Sequence, residues 1–259
     1  MPNEETEKRG RGIYLLPNLF TTAALFAGFY AIVAAMNGQF EKAAIAVFVA
    51  MVLDSLDGRV ARLTNTQSEF GAEYDSLSDM VSFGLAPSLV MYQWSLATMG
   101  KLGWLAAFVY AAGAALRLAR FNTQVGIADK RYFQGLPSPA AAAIVAGAVW
   151  VGVSYGVDGK SLVPLTFVLT VLAGVLMVSN VRYYSFKDLD LRGKVPFVTV
   201  LIVVLVFVFV SIDPPQVLFA SFLVYALSGP VMILVMRSRR RKEKHAKASE
   251  DDEGGGPEG

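Results

Sequence analysis

The chain has 259 residues, of which 54% are hydrophobic and 17% charged. Its mean hydropathy is +0.48. A soluble domain of this size carries more charge, and here the apolar residues come in long runs, so an integral membrane protein is expected. The absence of cysteine excludes disulfides, thiolate metal sites and cysteine nucleophiles together. The single histidine, His245, stands in a basic tail and reads as a solvated residue rather than a catalyst.

Taken in order, residues 1–12 (MPNEETEKRGRG) form a polar N-terminal segment expected to be disordered. The apolar stretch that follows is too long, and too poor in a small-residue cleavage site, for a secretory signal. We read it as a first span over Leu19–Met36. Further spans follow at Phe40–Leu63, Tyr74–Thr98, Leu102–Phe121, Ser138–Tyr155, Leu162–Val181, Pro196–Ile212 and Gln216–Met236. Each has the length a bilayer core requires. The fold class is thus an all-α integral membrane protein of about eight transmembrane helices. Residues 13–236 form one domain, and 237–259 a charged, disordered tail.

An even number of spans puts both termini on one side. With eight, all of the 23 Lys and Arg residues except Lys42, Lys101 and Lys160 fall on that side. The positive-inside rule then makes it the cytoplasm. The tail RSRRRKEKHAKASEDDEGGGPEG opens with a basic block suited to anionic headgroups. A stop-transfer flank accounts for that charge, so no nucleic-acid partner is expected.

The stretch that carries chemistry is 54–79, DSLDGRVARLTNTQSEFGAEYDSLSD. Asp54 and Asp57 are three apart, and Asp75 and Asp79 four apart, so each pair shares a helix face. Both pairs are flanked by membrane-like sequence, where ionisable groups are expensive and mark function. Two pairs on successive helices, facing one another, would make a cage of hard oxygens suited to Mg²⁺ or Mn²⁺. Gly58 and Ala61 keep the face of the first pair open, and Arg62 adds a cation suited to phosphate. TNTQSEFG turns the chain, with Ser68 available for hydrogen bonding and Gly71 for close packing. A cation pathway would also use such carboxylates, but it gives Gly58, Arg62 and Gly71 no defined task.

The pattern Asp54-x-x-Asp57-Gly58-x-x-Ala61-Arg62, eight residues, Gly71-x-x-x-Asp75-x-x-x-Asp79 resembles the signature of the CDP-alcohol phosphatidyltransferases at every fixed position. The resemblance implies a membrane-embedded, metal-dependent enzyme, usually a homodimer, that transfers a phosphatidyl group from CDP-diacylglycerol to an alcohol and releases CMP. It implies that Asp54, Asp57, Asp75 and Asp79 hold two divalent cations, Mn²⁺ or Mg²⁺, and that Asp79 is the general base. Gly58, Arg62 and Ser68 match positions that contact the CDP part, and Ala61 and Gly71 complete that stripe. The stretch Leu16-Pro17-Asn18-Leu19-Phe20-Thr21 lies near the nucleotide in such enzymes. Asn18 and Thr21 are therefore candidates there, although both also suit the cap of the first helix.

Two further stretches bear on the acceptor. One runs from Arg117-Leu-Ala-Arg120-Phe121-Asn122-Thr123 through Lys130-Arg131 to Phe133-Gln134-Gly135-Leu136-Pro137-Ser138-Pro139, and the other covers 178–187, VSNVRYYSFK. Arg117 and Arg120 lie inside the fourth span, where a buried guanidinium calls for an anion. These stretches resemble the phosphatidylserine synthase branch, and the likeness extends over about residues 13–195. It implies L-serine as acceptor, with its carboxylate met by Arg117, Arg120, Asn122, Lys130 or Arg131. Charge alone does not separate serine from glycerol-3-phosphate, the acceptor of a phosphatidylglycerophosphate synthase. The cell's inner membrane, with the active site facing the cytoplasm, is the expected location.

Overall fold

A computed structural model describes residues 4–123, 132–184 and 197–253. Nine α-helices dominate the described residues: α1 (Glu4–Met36), α2 (Phe40–Thr64), α3 (Glu69–Asp79), α4 (Ala86–Trp94), α5 (Lys101–Thr123), α6 (Ser138–Ser154), α7 (Val163–Val178), α8 (Phe197–Ile212) and α9 (Pro214–Glu253). Among the described residues, four segments are long and apolar enough to cross a membrane: Leu16–Met36, Lys101–Thr123, Gly159–Val178 and Pro214–Ile233.

The packing is inverted relative to a soluble bundle. Ala27, Ala31, Ala34 and Ala35 of α1 meet Ala43, Ala44, Val47 and Ala50 of α2 in the interior, while Phe26, Phe29, Leu165, Leu172 and Phe207 are exposed. Small residues let helix backbones approach closely where lipid tails supply no hydrophobic force between helices. α5 and α7 show how close: a Cβ at Gly113 would stand 2.5 Å from the Gly174 carbonyl oxygen. α6 is buried along most of its length, from Ala140 through Gly147, with Val149 and Gly152 beyond. It packs against α2, α4, α7 and α9.

The helices differ from the sequence expectation in four places. The third span is broken: α3 passes into a π-helical turn over Met80–Leu85, α4 follows, and a 3₁₀ turn occupies Leu96–Met99. Pro87 explains the break, because it has no N–H for the carbonyl of Phe83 one turn earlier. The Tyr110 hydroxyl donates to that carbonyl at 3.0 Å instead. Asn18 and Thr21 do not cap the first helix, since α1 begins at Glu4 and both lie in its interior. The polar ends take helical geometry, with α1 reaching back to Glu4 and α9 running on to Glu253. Glu, Lys, Arg and Ala dominate those ends and favour helix wherever one is already nucleated.

The fourth difference is a small sheet. β1 (Tyr132–Gln134) pairs antiparallel with β2 (Arg182–Tyr184), matching Phe133 to Tyr183. Beyond β1, the Gly135 amide donates to the Val181 carbonyl at 2.8 Å and the Leu136 amide to Leu176 at 3.0 Å. Gly135 has φ +81°, and a Cβ there would lie 2.2 Å from the Met177 carbonyl oxygen, so only glycine fits. The two stretches singled out for the acceptor thus meet in one clip at the end of α7.

Candidate active site

α2 carries Asp54 and Asp57 to its final turns and ends at Asn65, which adopts the left-handed conformation (φ 53°, ψ 38°). The chain turns, and Ser68 caps α3 by accepting from the Gly71 amide at 3.0 Å. That cap starts the helix at the phase that turns Asp75 and Asp79 back toward α2. Carboxylate oxygens of Asp54, Asp57 and Asp75 come within 4.8 Å of one another. Asp79 lies within hydrogen-bonding reach of Asp54.

α1 holds the two carboxylate helices together. The Thr21 hydroxyl donates to Asp57 Oδ2 at 2.8 Å, with the Pro17 carbonyl 3.2 Å away. On α3 and the π turn, Ser78 donates to the Thr21 carbonyl at 3.1 Å and Ser82 to the Ala24 carbonyl at 3.0 Å. A Cβ at Gly28 would stand 2.6 Å from the Ser82 hydroxyl, so the two segments touch there. Thr22 and Tyr74 join their hydroxyls at 2.9 Å on the outer side. Serine and threonine at such crossings supply hydrogen bonds where no water can.

The residues that the sequence offered for the nucleotide lie along α1 and around the ends of α2 and α3. A Cβ on Gly58 would meet only the Arg62 guanidinium, at 3.5 Å, so the missing side chain leaves that group lying over the α2 face. A Cβ on Gly71 would meet Ser68 Oγ at 3.1 Å and Asn18 Oδ1 at 3.5 Å, which puts Asn18, Ser68 and Gly71 together. Ala61 is half-buried one turn beyond Asp57. Thr21 is already committed to Asp57.

The acceptor candidates divide. The Arg117 guanidinium donates from Nη1 to Ser138 Oγ at 2.7 Å and lies within electrostatic reach of Asp79. Its Nε is buried with no hydrogen-bond partner among the described residues, as is Asp75 Oδ1. Arg120 is engaged differently. It donates to the Val178 carbonyl at 2.9 Å and lies 3.5 Å from both the Ser179 carbonyl and Asn180 Oδ1. It therefore closes the C-terminus of α7, where a cation is favoured. Asn122 exchanges hydrogen bonds with Ser76 at 3.0 and 3.3 Å, linking α5 to α3. Lys130 and Arg131 lie outside the described residues. Sequence reasoning placed Ser138 in an acceptor stretch without giving it a role, and did not single out Tyr110 or Ser78. Only the Ser-Pro pair at 138–139 gave a sign of the first, and the other two look like ordinary span residues.

As a site for cations the cluster fits. The donors are all carboxylate oxygens, the set hard divalent ions prefer, and Asp75 Oδ1 is buried without a partner among the described residues. A knot of carboxylates inside an apolar helical body marks a functional site rather than a structural span. The chain belongs to the CDP-alcohol phosphatidyltransferase family, whose model matches residues 14–171. It is similar to CDP-diacylglycerol–serine O-phosphatidyltransferases from several organisms. The Helicobacter pylori J99 protein is 39% identical over 223 residues, covering 86% of this chain and 94% of the relative. The Mycobacterium bovis relative is 39% identical over 155 residues, covering 58% and 54%. One from Methanocaldococcus jannaschii is 38% identical over 142 residues, covering 55% and 63%.

Proposed function

We propose that this enzyme transfers the phosphatidyl group of CDP-diacylglycerol to the hydroxyl of L-serine, giving phosphatidylserine and CMP. The observation that carries the chemistry is the convergence of Asp54, Asp57 and Asp75, with Asp79 beside Asp54. Serine as acceptor is supported by the relatives' shared description and by the half-buried Arg117, whose free Nε suits a carboxylate.

Asp54, Asp57, Asp75 and Asp79 would hold two divalent cations, Mg²⁺ or Mn²⁺. Such a pair neutralises a pyrophosphate donor and steadies the attacking and leaving oxygens of an in-line displacement. Thr21 fixes the orientation of Asp57, as a hydrogen-bonded neighbour does for a ligating carboxylate. Asn18, Gly58, Ala61, Arg62, Ser68 and Gly71 form the wall on which the CDP moiety rests, with Arg62 supplying the cation nearest its phosphates. Asp79 accepts the proton of the serine hydroxyl as that oxygen attacks the β-phosphoryl. Arg117 holds the serine carboxylate and is itself oriented by Ser138. Arg120 keeps the end of α7 and the β1–β2 clip in place, and Asn122 ties α5 to α3 beneath them.

For the surrounding architecture the sequence reading is the proposal. One transmembrane domain over 13–236 spans the inner membrane eight times, with both termini and the aspartates at the cytoplasmic side. Four of those spans coincide with helices long and apolar enough to cross. A donor whose tails remain in the bilayer can then present its head at the ends of α2 and α3. A homodimer is the assembly the family resemblance suggests.

The test is CMP release by the purified protein given CDP-diacylglycerol and Mn²⁺ or Mg²⁺, with serine, glycerol-3-phosphate or inositol in parallel. Release with serine alone is expected. Release with glycerol-3-phosphate alone would replace the acceptor and keep the mechanism. No release with any alcohol would overturn the reading and favour a cation pathway.

A further inference from the structure

The π turn at Met80–Leu85 follows Asp79 directly, and the elements on both its sides pack on α1, α4 being held by α5 and α6 as well. Downstream, α4 is fixed in the core: Val90 and Met91 are fully buried, and a Cβ on Gly152 would lie 2.4 Å from the Trp94 indole. Upstream, α3 is fixed to α1 through Ser78. A π turn takes up one more residue than an α turn. Removing that extra residue would rotate α3 against α4 by about 100°. The core face of α4 and the carboxylate face of α3 could then not both meet their partners.

Tyr110 is placed to hold this turn. It is fully buried and donates to the Phe83 carbonyl, the group that Pro87 leaves without its α-helical donor. The same face of α5 continues to Ala114, which a Cβ on Gly84 would meet at 3.2 Å, and then to Arg117 opposite Asp79. We infer that Tyr110 is a positioning residue: by holding the Phe83 carbonyl it maintains the π turn, and the π turn sets the direction in which Asp75 and Asp79 face Asp54 and Asp57. This rests on the reading of the four aspartates as a cation site.

The experiment is Mn²⁺ binding to the purified full-length protein in detergent, followed by electron paramagnetic resonance without any lipid substrate. Tyr110→Phe keeps the ring and removes only the hydroxyl, and it is expected to weaken Mn²⁺ binding about tenfold, as loss of a supporting partner does. Under saturating metal its kcat falls while its KM for CDP-diacylglycerol stays near the wild-type value. Pro87→Ala returns a main-chain donor, lets the turn relax toward a regular helix, and is expected to weaken Mn²⁺ binding in the same way. Tyr183→Phe is the control for a purely structural loss. Its hydroxyl is equally buried and donates to the Ala226 carbonyl at 3.0 Å, far along the chain from the aspartates. It should lower thermal stability and leave Mn²⁺ affinity unchanged. Wild-type affinity in both Tyr110→Phe and Pro87→Ala would overturn the inference and leave the cation site standing. No Mn²⁺ binding by the wild type would overturn both.

Discussion

Thr21 and Asp57 are 36 residues apart in the chain and joined by a 2.8 Å hydrogen bond in the buried contact of α1 with α2. The first helix is therefore part of the carboxylate centre, although it contributes no carboxylate of its own. Thr21→Val keeps the shape and removes the donor. It is expected to raise the metal concentration for half-maximal activity by about tenfold, the usual consequence of losing a partner that orients a ligand. A metal titration of CMP release measures this, and an unchanged midpoint would dismiss the role.

Asp79→Asn preserves size and removes the proton acceptor. Turnover is expected to fall by about a hundredfold or more, while binding of CDP-diacylglycerol largely survives. The two are separated by initial rates and by equilibrium binding of the CDP-lipid. Near-normal turnover would take Asp79 out of the proton transfer.

Arg117→Gln retains a donor for Ser138 and removes the charge. The KM for serine is expected to rise by about tenfold or more, the scale of one charge-assisted hydrogen bond. The KM for CDP-diacylglycerol should not change. An equal rise in both would mean that Arg117 supports the site as a whole and does not read the acceptor.

Gly135→Ala strains a backbone at φ +81° and drives a methyl into the Met177 carbonyl. A loss of about 1–3 kcal/mol is expected, read as a lower unfolding temperature in detergent. If the clip also shapes the acceptor side, the KM for serine rises at temperatures where the variant remains folded. A variant as stable as the wild type would show that the clip can repack.

The aspartate constellation was legible in the sequence because helical periodicity converts spacing into shared faces. Three apart and four apart, on either side of a polar turn, leave few other arrangements for Asp54, Asp57, Asp75 and Asp79. The broken third span was not legible. Pro87 gave a hint, but a π turn depends on Tyr110 approaching from a helix well separated in the chain, and no local pattern encodes that approach. The β1–β2 clip was hidden for the same reason: three-residue strands paired across some 50 residues leave no periodic trace. Arg120 shows the limit of composition. Its charge within a span pointed to an anion, and its partners among the described residues are instead the main-chain carbonyls of Val178 and Ser179 at the end of α7 and the Asn180 side chain.

Ser78 and Ser82 bond to main-chain carbonyls of α1, and Thr21 of α1 bonds to Asp57 of α2. A bilayer core offers a carboxylate no such donor of its own. Neither acidic helix is therefore at rest in lipid until its companions have arrived. During synthesis α1 emerges first and waits for partners that leave the ribosome some tens of residues later.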